Sequence, residues 1–192
     1  MKVITGPTIE PVTLAEVKAQ IGILPTNTDQ DGLITRRIGQ ARAWAERYCH
    51  RAFMSQTLEL RLHVFPTNIE LPWPPVSAIV SVKYIDNDGV EQTMDAADYV
   101  FDDYDETPSI RVAFGESWPT TRGEPHAVRV QYTAGYGTAK SAVPDLLREA
   151  MLLLIGHWMN FQPQAENGLI MARVPFAIRD MLDSFKVERY DA

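Results

Sequence analysis

Four histidines, one cysteine and a run of carboxylates are the side chains in this chain suited to bond-making or metal chemistry. His50, His63, His126 and His157 show no HxxxH or HxH spacing, so none is set one helical turn or one strand step from another to share a metal. His63 is expected on the solvent side of a strand and His157 in an apolar helix, and both read as structural histidines. Cys49 is the only cysteine, which excludes an internal disulfide and a structural zinc cluster. On a helix, its neighbour His50 points about 100° away; the thiol then has no base and behaves as a small buried apolar group.

The acids are more unusual. Asp86, Asp88, Glu91, Asp95, Asp98, Asp102, Asp103, Asp105 and Glu106 lie between Lys83 and Arg111 with no Lys or Arg among them. Residues 102–106 offer oxygen ligands of the kind calcium takes, but without the EF-hand spacing and glycine. A solvated acidic face is the expectation, with repulsion of DNA or of a wrong partner as a further role. A metal-dependent enzyme using the cluster 86–106 is the alternative from a different class. Gly115-Glu116-Ser117 starts like a nucleophile elbow, but Pro119 stands where the second glycine is required. Gly135 to Lys140 precedes a helix yet lacks the GxxxxGK[ST] spacing of a phosphate loop. Leu71-Pro72-Trp73-Pro74-Pro75 contains PxxP with no basic flank and reads as a strand-connecting polyproline segment. No catalytic set emerges. The remaining candidate is a basic stripe, Arg36, Arg47 and Arg51 with Gln40 and Ala43 between them, near one face of a long helix. It is either solvated or turned towards DNA or a partner.

The elements that carry these residues follow from periodicity. Thr13-Leu14-Ala15-Glu16 is a capping box opening a short helix near 13–21, which Gly22 and Pro25 end. Asn27, Thr28 and Asp29 offer caps for a long helix over about 29–50, a span of roughly 33 Å, with Ile34, Ile38, Ala41, Ala45 and Tyr48 on its inner face. From Ser55 the period becomes two: Leu58 to Val64, Val76 to Tyr84, Ile110 to Phe114 and Val128 to Tyr132 each alternate apolar and polar residues, the pattern of half-buried strands. Asp86-Asn87-Asp88-Gly89 predicts a hairpin onto Val90–Met94. Helical spacing returns in an apolar helix over about 144–161, a loop is expected over 163–168, and a last short helix spans about 175–185. The fold class is therefore α+β. Residues 1–54 with 134–192 form a helical core, and 55–133 form an inserted antiparallel β unit.

Composition bounds the function. The chain has 192 residues, 45% of them hydrophobic and 22% charged, which excludes wholesale disorder. The most apolar run, Met151–Ile155, is far short of the roughly 20 residues of a membrane span. The start Met1–Pro7 has no long apolar stretch of the signal-peptide kind, so a soluble protein of a reducing compartment is expected. The net charge is −7, which opposes a protein that grips nucleic acid. It is unevenly spread. Residues 55–133 carry 5 basic and 13 acidic groups, whereas 1–54 carry 7 basic and 5 acidic.

Several stretches in order resemble a known family. They are Glu10 to Lys18, the long helix ending Ala45-Glu46-Arg47-Tyr48, Ile69 to Val76, and Tyr132 to Gly137. A Val143-Pro144 helix with His157-Trp158 near its end follows, and then Val174-Pro175-Phe176. The chain resembles the head–tail connector (adaptor) family of long-tailed bacteriophages, also found in prophages and gene transfer agents. The resemblance implies a helical core from both chain ends around a β insertion, no enzymatic activity and no cofactor. It implies a structural virion protein at the head–tail junction, assembled in the host cytoplasm. That protein forms a ring of identical subunits, usually dodecameric, below the portal protein. The ring docks a stopper or tail-completion protein, and DNA passes through without sequence-specific binding. By position alone, Phe185–Ala192 would engage the portal. Trp158, Phe161, Phe176, Phe185 and Tyr190 are the candidate partner and ring contacts. Another head- or tail-completion protein is the nearest alternative.

Overall fold

The computed structural model describes residues 1–166 and 174–187, with backbone alone for 161–166. The chain divides into two compact units, Met1–Pro7 with Ser55–Tyr136, and Thr8–Met54 with Gly137–Ala192. The fold is α+β. The expected division differs at the start of the chain, because the first residues are a strand of the β unit rather than part of the helical one.

In the helical unit, α1 (Leu14–Ile21) starts at the capping box: the Glu16 N–H donates to Thr13 Oγ1 at 3.3 Å and the Thr13 N–H donates to Glu16 Oε2 at 2.7 Å. Gly22 ends it at φ 73°, a left-handed turn that a side chain would resist. The long helix α2 runs Asp31–Cys49 rather than from 29. Gln30 occupies its cap position and makes no side-chain capping bond. The Asn27 side chain is spent in the preceding turn, where Oδ1 accepts the Asp29 N–H at 3.1 Å. Ile34, Ile38, Ala41, Ala45 and Cys49 form its buried stripe, and Tyr48 stands half-buried beside it.

The apolar helix α3 (Asp145–Glu166) touches each of the other three helices and buries Leu147, Ala150, Met151, Leu154 and Ile155. It continues past the expected end at 161 and through Pro163, where a loop was expected. A proline forfeits one helical hydrogen bond and crowds the preceding turn, but here it does not end the helix. The last helix, α4 (Phe176–Asp183), is one turn shorter than expected and buries Ile178 and Leu182.

The β unit holds eight strands: β1 (Lys2–Thr5), β2 (Gln56–Leu62), β3 (Asn68–Glu70), β4 (Val76–Ile85), β5 (Glu91–Thr93), β6 (Tyr99–Asp102), β7 (Ser109–Val112) and β8 (Val128–Ala134). They make two sheets, a five-stranded one in the order β1-β2-β8-β4-β5 and a three-stranded one in the order β3-β7-β6, with every pair antiparallel. Strand β8 is central, and its alternation is clean: Val128, Val130, Tyr132 and Ala134 are buried while Arg129, Gln131 and Thr133 are half-buried. Strand β4 breaks the expected alternation. Irregular register against β8 between Val76 and Ala78, and again between Ile79 and Ser81, turns Ala78 and Val80 outward. Sequence alternation cannot reveal such bulges. Strands β1, β3 and β6 were not predicted, being only three or four residues long.

Tyr132 is fully buried on β8, and its hydroxyl donates to the Pro72 carbonyl at 2.7 Å. One bond thus ties the central strand to the segment joining β3 to β4. Removing the hydroxyl leaves that part-buried carbonyl without this donor. Tyr132→Phe is expected to lower unfolding stability by about 1–2 kcal/mol in a urea titration, with the far-ultraviolet circular dichroism unchanged.

Candidate interaction surfaces

Three of the acids between 86 and 106 serve as local caps. Asp86 Oδ1 accepts the N–H groups of Asp88 and Val90, and its Oδ2 accepts from Gln92 at 2.8 Å, which closes the β4–β5 hairpin. Those donors hold the Asp86 carboxyl below its usual range. Asp95 caps a single 3-10 turn through the Ala97 N–H, and Asp102 accepts the Tyr104 N–H. Glu91 pairs with Lys83 at 2.9 Å and with Arg129. Among the described residues no three His, Cys, Asp or Glu side chains gather into a metal-sized group. No helix among them is long and apolar enough to cross a membrane. His63 and His126, distant in sequence, stack with ring centroids 5.6 Å apart on the exposed side of the β unit. Nothing in their spacing signals that pairing.

The basic stripe holds in part. Arg36, Gln40, Ala43 and Arg47 form one exposed row along α2, opposite the buried stripe. Neither Arg36 nor Arg47 pairs with an acid among the described residues. Arg51 is off the row. The helix ends at His50, which takes a left-handed φ of 54°, and Arg51 Nε then donates to the Phe185 carbonyl at 2.5 Å. It therefore fastens the C-terminal segment instead of extending the stripe.

Beneath the exposed row, α2 is fixed by a half-buried ionic cluster. Arg42 donates from Nε to Glu10 Oε2 at 2.7 Å and from Nη1 to Glu46 Oε2 at 2.8 Å. Glu46 is 4% exposed, and its other oxygen accepts the Phe53 N–H at 2.8 Å. Burial pushes the Glu46 carboxyl up, against the pull of Arg42 and of that N–H. Burial also opposes the Arg42 charge, but the two carboxylates outweigh it and hold its proton more firmly.

A second set of ion pairs joins α1 to the start of α3. Glu16 Oε1 accepts from Lys140 at 2.8 Å and from Arg148 at 3.1 Å. Burial alone would raise the Glu16 carboxyl, yet the Lys140 and Thr13 hydrogen bonds prevail and hold it down at about 2. Lys18, nearly buried, meets Asp31 at 2.5 Å and donates to the Pro25 and Asn27 carbonyls, which clasps the α1–α2 loop.

The candidate contact residues divide. Trp158 is half-buried, with the Arg37 guanidinium 6.0 Å from its ring centroid, so part of it is used inside the helical unit. Phe185 is half-buried where Arg51 holds its carbonyl. Phe176, at the first position of α4, is 82% exposed and is the member of the set most open to a partner. The Phe161 side chain and Tyr190 lie outside the described residues. The C-terminal segment is anchored through Val187, whose N–H donates to the Cys49 carbonyl at 3.0 Å, and through Asp183, which accepts from the Tyr48 hydroxyl at 2.8 Å. Cys49 is fully buried there, and burial pushes its thiol up to about 12, which makes it inert as a nucleophile.

Two surface features escaped the sequence reading. Phe114, expected as a half-buried strand position, is fully exposed in the turn after β7; Gly115 directly after it was the available signal. A groove of about 440 Å³ opens in the helical unit, lined by Ile9, Glu10, residues 12–14, Thr35 and Ile38 of α2, and Lys140.

Residues 11–105 match the sequence model of the family described as phage gp6-like head-tail connector protein. The resemblance is to the head–tail connector family. No curated protein matches the chain. Among solved structures, a chain from the neck of an empty GTA particle, computed with C6 symmetry, superposes with a TM-score of 0.76. It is 21% identical, and the match covers 98% of this chain and 97% of that one. A chain from the neck of a native GTA particle, computed with C12 symmetry, gives 0.75 at 22% identity over 98% and 97%. A chain from the virion of a native gene transfer agent particle gives 0.73 at 22% identity over 97% and 96%. These likenesses carry the α+β fold from end to end. None of the named relatives is described as an enzyme.

Two outcomes follow from the ionic clusters. Arg42→Ala removes the guanidinium paired with the buried Glu46 carboxylate, and is expected to cost about 3 kcal/mol in a denaturant titration. Glu16 ionises near 4.5 in an ordinary setting and near 2 when folded, so its contribution is complete above pH 4.5 and vanishes as the pH falls through 2. Stability measured across that window is expected to fall less steeply in Glu16→Gln than in the parent chain.

Proposed function

We propose that this chain is a structural connector subunit at the head–tail junction of a phage-like or gene-transfer-agent particle. The observation that carries the reading is the end-to-end likeness, over 97% or more of both chains, to a chain from a particle neck, together with the connector-family match over residues 11–105. Copies of the chain associate into a ring, and the C12 symmetry used for the related neck favours twelve subunits. The ring sits below the portal protein, receives a stopper or tail-completion protein on its other face, and is assembled in the host cytoplasm.

The charge distribution supports a ring around DNA over one that grips it. The exposed basic row on α2 has two arginines, whereas the residues of the β insertion are strongly acidic. Binding duplex DNA tightly requires many phosphate contacts, and a chain of net charge −7 is poorly suited to supply them. Passage without sequence-specific binding fits this balance. Phe176 and the segment from Phe185 onward are the proposed portal-facing contacts, with Trp158, Phe161 and Tyr190 as further candidates.

The test is reconstitution. Mixed with the portal protein of the same particle, the full chain is expected to give a ring-shaped complex by electron microscopy and a discrete multiple of the 21.6 kDa subunit by native mass spectrometry. Phe176→Asp is expected to weaken portal binding at least tenfold. A chain that stays monomeric and leaves the portal unbound overturns the proposal.

A further inference from the structure

We infer that neighbouring copies in the ring are joined by Phe114 of one subunit seated in the α2 groove of the next. The inference rests on the connector reading above and names the contact that would build the ring. Phe114 stands at 106% of its reference exposure, so none of the described residues covers it. It is held there by a tight turn: the Glu116 N–H donates to the Ala113 carbonyl at 3.1 Å, and Gly115 takes φ 86°. The ring is thus presented on a short, closed loop and is not the loose end of a mobile side chain. A phenyl group kept in water by a fixed turn forgoes burial that is among the larger contributions available to a single residue, and such exposure marks contact surfaces.

The groove has the complementary character. Ile9, Val12, Leu14 and Ile38 line it, and Ile9 is itself 43% exposed. Its volume of about 440 Å³ admits an aromatic side chain with part of its loop. Charge complements shape: Lys140 belongs to the lining with its side chain 43% exposed, and Glu116 follows Phe114 by two residues and is exposed. The Lys140 ammonium already meets Glu16 at 2.8 Å but has three donors to share.

Knob and groove are different patches of one chain. A contact between different patches runs head to tail, and repeated head-to-tail contacts close into a ring when the rotation allows. A second copy is therefore the occupant that satisfies both features at once, with each subunit giving one knob and receiving another.

The experiment uses the full chain, assembled with portal protein where the chain alone does not assemble. Chains carrying Phe114→Cys are mixed with chains carrying Ile9→Cys, assembled and oxidised; Cys49 is buried and stays silent. A disulfide between the two kinds of chain, absent when either is assembled alone, is the expected result. In parallel, Phe114→Asp is expected to lower ring yield at least tenfold in native mass spectrometry with an unchanged thermal midpoint, and Phe114→Leu to restore most of it. Normal rings from Phe114→Asp, or no mixed disulfide within assembled rings, overturn the inference and leave the connector reading standing. Rings that survive Phe114→Asp while Ile9→Asp abolishes portal binding assign the groove to the portal, which also overturns it. A product that stops at dimers overturns it as well. If the parent chain never assembles, the connector reading and this inference fall together.

Discussion

Glu46 imposes the tightest constraint on the helical unit. Its carboxylate is nearly buried on the inner side of α2 and must find donors there, because an unpaired buried charge costs several kcal/mol. Its donors include the Arg42 guanidinium one turn back and the Phe53 N–H beyond the end of the helix. The second bond sets where the chain goes after α2. The left-handed turn at His50 and the bond from the Arg51 N–H to the Glu46 carbonyl bring Phe53 within reach of the Glu46 side chain. The same Arg42 reaches back to Glu10 and so fixes the segment entering α1 against α2. One residue triad thus positions the entry to α1, the body of α2 and the exit from it, and the groove lies along the surface it holds in place.

The charges of the two units serve different ends. In the helical unit side-chain pairs join separate elements: the Glu16 ion pairs join α1 to the start of α3, and the Tyr48–Asp183 hydrogen bond joins α2 to α4. In the β unit, by contrast, Asp86, Asp95 and Asp102 satisfy backbone N–H groups within a few residues of themselves. An acid used in this way needs only to sit at a turn and to tolerate solvent, so many can accumulate without disturbing the core. The acidic surface that results is compatible with a protein through which DNA passes, since it provides no grip on phosphate.

Helix positions were largely legible in the sequence because their signals are local. The Thr13–Glu16 box, Gly22 and the Ile34–Ile38–Ala41–Ala45 stripe each act within a few residues, and each appears in the structure where the pattern put it. The start of α2 was misread because Asn27, a good cap by type, spends its side chain on the Asp29 N–H, two residues inside the preceding loop. The strands were read less completely. Lys2–Thr5 has no periodic pattern to display in four residues, and it becomes a strand because the edge of β2 is available to pair with it. Bulges in β4 reverse the outlook of Ala78 and Val80 through register against β8, a property of two strands and not of one. Phe114 continued the alternation of Ile110 and Val112 on paper, but its strand ends at Val112 and the next residues turn into solvent.

Composition and local pattern by themselves determined the class of protein. Scattered histidines, a lone cysteine and a −7 charge offered no recognisable catalytic motif and opposed a DNA-gripping role, and short-range periodicity marked helical ends around a β middle, because capping, amphipathic spacing and turn chemistry all act over a few residues. Tertiary structure alone decided which surfaces are open. It drew Arg51 away from the basic row to hold Phe185, used part of Trp158 against Arg37, and left Phe114 and Phe176 in water. Exposure depends on which distant segments arrive to cover a side chain. That is settled by packing between elements far apart in the chain, and no local pattern encodes it.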